Sequence, residues 1–187
     1  MKKIVLLTAI MFTFCGVISA QEKLAISVSK SEIQWIGEYV FYFGGHEGTI
    51  DIKEGYLIKT GDHITGGAFV IDMNTIKNSD IENPESNASL VDHLKDPDFF
   101  NVAKFPTAKL EITQVEYENS TQMKIYADLT IKGVTHPVSL RAEADFENAT
   151  LSAKFKIDRK LWGVNYDSNM RDGAISDAIG FIVKLSL

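Results

Sequence analysis

The chain has almost no cysteine. Cys15 is the single one among 187 residues, and it lies within the first twenty. Bulky Phe12-Thr13-Phe14 precede it, where a lipid-anchor site needs small residues. If residues 1–20 are removed, no thiol is left. Disulfides, thiolate catalysis and cysteine metal sites are then all excluded. Basic residues are also scarce: 19 Lys and Arg stand against 25 Asp and Glu. Lys2 and Lys3 leave with the first twenty residues, taking the formal charge from −6 to −8. So acidic a surface does not suit nucleic acid, whose phosphates require a basic face. Nor does it suit electrostatic docking on anionic lipid. The charge serves solubility.

Long apolar runs are missing after residue 20. The run Ile4–Ile18 follows Met1-Lys2-Lys3 and ends in small Ser19-Ala20. That order is the plan of a secretory signal peptide, and the run is short of the roughly 20 residues a membrane span needs. The expected organisation is a signal peptide over 1–20, cleaved after Ala20, and one domain over 21–187. Export to a periplasmic or secreted location, with no stable membrane insertion, is the expectation that follows.

Catalytic and metal signatures are missing too. There is no G-x-S-x-G elbow and no phosphate-cradling P-loop. His46, His63, His93 and His136 form no close pair, so neither a metal nor a cofactor is expected. The stretch Asp167–Gly173 looks like a calcium loop at first. Its glycine is seventh instead of sixth, and Arg171 occupies a ligand position. The protein is not expected to be an enzyme. The sequons at Asn87, Asn119 and Asn148 are read as chance.

What the chain does have is period two, which places alternate side chains on opposite faces of a sheet. Met123, Ile125, Ala127, Leu129 and Ile131 alternate with polar residues. So do Val138–Ala144, Leu151–Ile157 and Ile179–Leu187. Earlier candidates are Leu24–Val28, Ile33–Tyr39, Glu47–Ile58, Gly66–Ile71 and Ala108–Val115. Turn residues separate them, as at Thr60-Gly61-Asp62 and Lys132-Gly133. Lys77–Ser89 reads as a loop. One helix follows, capped by Asn87 or Ser89, with Leu90, Val91 and Leu94 at helical spacing; Asp96-Pro97 ends it. Its apolar face suits closing one end of a β-structure. Periodicity alone fits a two-sheet sandwich as well as a closed barrel.

A set of motifs runs in order along the chain: Ser31–Gly37 with Trp35, Gly45-His46-Glu47-Gly48-Thr49-Ile50, and Gly66–Met73 with Phe69. Leu90–Phe100 with His93, Lys104–Ala108, Ala127–Thr135 and Ile157–Gly163 follow. Together they resemble the YceI family of polyisoprenoid- and lipid-binding proteins. The resemblance implies an all-β fold, an eight-stranded antiparallel lipocalin-like barrel with one short helical segment near one end. It implies export, and an apolar channel holding a long-chain amphiphile such as an isoprenoid, an isoprenoid quinone or a fatty acid. The run Tyr39–Gly45 departs from it, being more aromatic than the family's usual polar stretch before the histidine.

Within that frame Trp35, Phe69, Ile125, Leu129, Leu140, Phe155 and Phe181 are the expected lining of the channel. His46 and His93 are the candidate contacts to a ligand head group. For each of these the plainer reading is core packing or a structural hydrogen bond. Ala127, Ala142, Ala144 and Ala153 are small residues on apolar faces. They either leave a channel open or sit opposite Trp35 and Trp162. A filled interior would instead mark an exported structural or stress-response module without a lipid ligand. Asp158-Arg159 and Trp162-Gly163 read as architecture. Self-association into a homodimer is left open.

Overall fold

The computed structural model describes residues 20–41, 43–166 and 174–187. The signal-peptide segment 1–19 and the calcium-loop-like segment 167–173 lie outside the described residues. The described residues contain nine strands and one α-helix. They are β1 (Gln21–Ala25), β2 (Glu32–Tyr39), β3 (Gly45–Thr60), β4 (His63–Asn78), α1 (Pro84–Lys95), β5 (Thr107–Tyr117), β6 (Gln122–Ile131), β7 (Val134–Asp145), β8 (Thr150–Asp158) and β9 (Ile175–Ser186).

Strands β2 to β9 form a closed antiparallel barrel of eight. Sequential neighbours pair from β2 to β9, and β2–β9 pairing closes the ring. Closure leaves these eight strands no free edge. This excludes the sandwich. β1 is the ninth strand of the sheet. It pairs with the second half of β3, Tyr56–Thr60, beyond the point where β2 ends.

Strands β3 and β4 are longer than the pattern suggests, because bulges change the parity of their inward residues. On β3 the buried positions run Ile50 and Ile52, then Leu57; the register shifts between Ile52 and Glu54. On β4 they run Ile71 and Met73, then Ile76 and Asn78. Here Asp72 holds the irregularity in place. Its carboxylate accepts from the Asn74 N–H, and the Thr75 hydroxyl donates to its carbonyl. A bulge inserts a residue and bends the strand. A strict period-two reading therefore loses the strand at that point.

The helix begins at Pro84, not at Asn87 or Ser89. Asn83 is its N-cap, with a side chain that accepts from the Ser86 N–H at 2.9 Å. Proline belongs at the first helical position, where its missing N–H costs nothing and its φ is already helical. Asn87 lies inside the helix, and its amide ties back to Asn78 and Ile81. The helix ends at Lys95, before Asp96-Pro97, as expected.

The loops divide into two sets. The β2–β3 turn, the α1 segment, the β6–β7 turn and the β8–β9 connection lie at one end, called here the helix end. The remaining turns and β1 lie at the far end. At the helix end the β6–β7 turn is a two-residue Lys132-Gly133 hairpin with positive φ at both positions, which matches strand twist. Lys132 Nζ donates to the carbonyls of Phe99 and Gly163, joining two neighbouring connections. Trp162 is buried and donates from Nε1 to the Leu129 carbonyl at 2.9 Å. Arg159, also buried, donates to Val164 O and Ser176 O and faces Asp177. Both residues tie the β8–β9 connection to the barrel, and Arg159 also borders its interior. Among the described residues no helix is long and apolar enough to cross a membrane.

Candidate functional site

The barrel interior is open. It holds a cavity of about 200 Å³, walled by side chains from all eight barrel strands and from α1. A single water needs only about 10–15 Å³ of such space, so the cavity exceeds a packing defect by an order of magnitude. The wall exposes apolar atoms only. From far end to helix end it passes Leu185 and Leu151, then Ile125 and Leu140, and finally Leu94 and Phe99.

All nine expected site residues lie on this wall: Trp35, Phe69, Ile125, Leu129, Leu140, Phe155, Phe181, His46 and His93. Phe155 and Phe181 face each other across the β8–β9 pair and stack at 5.2 Å, flattening one side of the bore. Trp35, Phe69, Phe155 and Phe181 keep some exposure although they point inward; the cavity is what they are exposed to. Of the four small residues, Ala153 lines the cavity. Ala127, Ala142 and Ala144 are fully buried among their neighbours. Ala142 sits opposite both Met123 and Ala153, so much of the small-residue pattern is ordinary size matching.

Polar groups collect at the helix end. His46, Leu90 and His93 border both the cavity and an outer depression that Ile81, Glu85, Ser86 and Ser89 complete. These three side chains form the mouth. His46 is locked from both sides. Its Nδ1 lies 2.8 Å from Asp80 Oδ2, and its Nε2 lies 2.8 Å from the Tyr39 hydroxyl. Asp80 also accepts from the Glu47 N–H at 2.9 Å and from the Asn78 amide. Partial burial works to raise the Asp80 pKa. The hydrogen bonds from His46, Glu47 and Asn78 outweigh it and hold the carboxyl below its ordinary value. The ionised carboxylate assigns the proton of a neutral His46 to Nδ1, so Nε2 accepts from Tyr39. The order carboxylate, imidazole, hydroxyl is that of a charge relay, with tyrosine where a nucleophile would stand. Both imidazole nitrogens are engaged, so this chain presents an anchored hydrogen-bonding surface.

His93 is set differently. Its Nε2 is buried and has no hydrogen-bond partner among the described residues. The ring packs edge-on against Tyr166 at 4.5 Å and Phe99 at 5.8 Å. It also brings a ligand atom within 4.8 Å of those of Asp96 and Asp98, which are exposed. The other two histidines stand apart: His63 against Tyr117 at the far end, His136 in register with Leu129 and edge-on to Trp162.

The sequence reading missed Tyr39, Asp80 and Leu90 at the mouth. Asp80 comes from a stretch read as loop. Its distance from His46 along the chain hides a pair that only β3–β4 pairing creates.

A closed eight-stranded barrel with an apolar bore and a helix at one end matches known proteins. A family model described as the YceI-like domain matches residues 24–187. The chain belongs to that family. A UPF0312 protein of Vibrio vulnificus is 31% identical over 117 residues, covering 57% of this chain and 62% of the relative. A UPF0312 protein of Photorhabdus laumondii is 45% identical over 51 residues, covering 27% and 26%. The aligned segments thus span less than two thirds of these curated relatives. Among solved structures, BcnA of Burkholderia cenocepacia superposes with a TM-score of 0.66 at 15% identity, covering 86% of this chain and 98% of that one. The YCEI protein of Campylobacter jejuni gives a TM-score of 0.53 at 20% identity, covering 79% and 81%. At such identities the likeness concerns the fold of this family member.

Proposed function

We propose that the protein is an exported carrier that binds a long-chain amphiphilic lipid, of isoprenoid, isoprenoid-quinone or fatty-acid type, with its tail in the barrel and its head at the mouth. The observation that carries this reading is the pairing of a wholly apolar cavity with a polar rim at one end. Each methylene buried from water contributes about 0.8 kcal/mol, so even a short tail gains a large gross driving force. Ordering the tail and losing its free motion offset much of it. A bore without polar wall atoms gives the tail nothing to compete with. The head group needs partners, and the mouth supplies them: the unpartnered Nε2 of His93, the His46–Tyr39 pair, and the Ser86 and Ser89 hydroxyls. No step of this function requires a nucleophile, a cofactor or a metal. The fully packed structural module is the weaker reading, because the interior is not filled. Processing after Ala20 and a periplasmic or secreted location belong to the same proposal.

Native mass spectrometry of the protein purified without detergent tests it. The expected spectrum carries an additional mass that organic solvent extracts as a lipid. A protein that emerges empty from its own cells, and takes up no lipid on addition, is not a carrier.

A further inference from the structure

Among the described residues, the turn between β2 and β3 carries the densest group of exposed apolar side chains. Phe43 is completely exposed, Phe41 is 63% exposed, and Val40 beside them is more than half exposed. Solvated phenylalanines cost free energy, and clustered ones mark a surface that meets another apolar phase. The turn is also well placed. It grows directly from Tyr39 and His46, the residues that anchor the mouth. Its base is pinned by Tyr39 N–H to Gly44 O at 3.1 Å and Val40 N–H to Ala174 O at 2.8 Å. Val134 and Leu161 are exposed on the same end of the barrel.

We infer that this tip is a membrane-docking element, which seats the cavity mouth on a zwitterionic lipid surface. Two arguments choose this occupant. The first is area. A phenylalanine buries roughly 150–250 Å², so the tip falls short of the ~800 Å² per partner of a stable protein interface. A narrow apolar hairpin suits the headgroup boundary instead, into which interfacial elements sink about 5–10 Å. The second is charge. Residues 39–45 carry none, and the flanks hold Glu38, Glu47 and Asp80 against Lys77 and Lys156. With a formal charge of −8 on residues 21–187, an anionic surface repels it, while a neutral one leaves the apolar contact unopposed. Docking by this tip faces the mouth toward the bilayer, which shortens the path of a lipid between membrane and barrel.

Flotation with phosphatidylcholine vesicles tests the inference, using residues 21–187, which contain the whole closed barrel. The native sequence is expected to float with the vesicles. The double variant Phe41→Ser/Phe43→Ser is expected to float less by a factor on the order of ten, with an unchanged melting temperature. Phe146→Ser removes an exposed phenylalanine at the far end and is expected to float like the native sequence. Ala153→Trp, which fills the cavity, is expected to float as well, so docking and lipid loading are read separately. Equal flotation of the double variant overturns the inference. So does an equal loss in Phe146→Ser, or flotation only with anionic phosphatidylglycerol vesicles. Tip-dependent self-association without vesicle binding would assign the tip to a second copy and overturn it too.

Discussion

The indole of Trp35 on β2 reaches across β3 and donates to the Lys77 carbonyl on β4 at 3.1 Å. It spans three adjacent strands because its partner in register on β3 is Gly48. A Cβ at Gly48 would overlap both the Lys77 carbonyl oxygen and the indole ring. Gly48→Ala is therefore expected to destabilise the barrel by at least about 2 kcal/mol, seen as a lower urea midpoint with an unchanged slope. A variant as stable as the native protein would show that the three strands close without this contact.

The Asp80 carboxyl is held below its ordinary value of 3.8, and that of Asp72 is lowered as well by hydrogen bonds from Asn74. A lowered folded-state pKa contributes stability that is complete above the unfolded value and is lost as pH falls through the folded one. The melting temperature is thus expected to hold down to about pH 4 and to drop below it. Asp80→Asn should melt lower than the native protein at neutral pH, and the two should converge as the acid limb is descended. A constant difference across the whole range would mean that the charge of Asp80 is not what ties His46 to the mouth.

His93 Nε2 is buried without a partner, a situation that typically costs about 1–3 kcal/mol. His93→Phe keeps the ring against Phe99 and Tyr166 and removes the orphaned nitrogen. The lipid-free variant is expected to be at least as stable as the native protein, by up to about 1 kcal/mol more. Its retention of co-purified ligand is expected to fall. Lower stability in the lipid-free state would place His93 in the architecture instead.

Ala153 is a small residue whose side chain opens onto the cavity. Ala153→Trp is expected to fold, since it enters existing space, and to cost less than the 1–3 kcal/mol of overpacking a filled core. The ligand mass in a native spectrum should disappear. A loaded Ala153→Trp protein would relocate the guest away from the bore.

Regular alternation made the β6 to β9 strands readable, and the motif order pointed to the barrel before any coordinate. Each expected wall residue on a strand faces inward because period two leaves it no choice once one face is buried, whereas His93 reaches the wall from the helix. Where the alternation breaks, the reading broke with it. The bulges at Ile52/Glu54 and around Asp72–Lys77 flip the inward face. The end of β4 was consequently taken for loop. The helix cap was read four to six residues late, because Pro84, Glu85 and Ser86 present no apolar period while capping still begins at Asn83.

The amino-acid order by itself determined a β-protein with one greasy face per strand and a helix before Asp96-Pro97, because local periodicity and capping are properties of neighbours along the chain. Only the tertiary structure decided that the faces enclose open space, that Asp80 meets His46, and that the aromatic turn stands beside the mouth. Those facts depend on how strands far apart in the chain pair and close, and the volume left inside is the difference between barrel width and side-chain bulk, which no single segment carries.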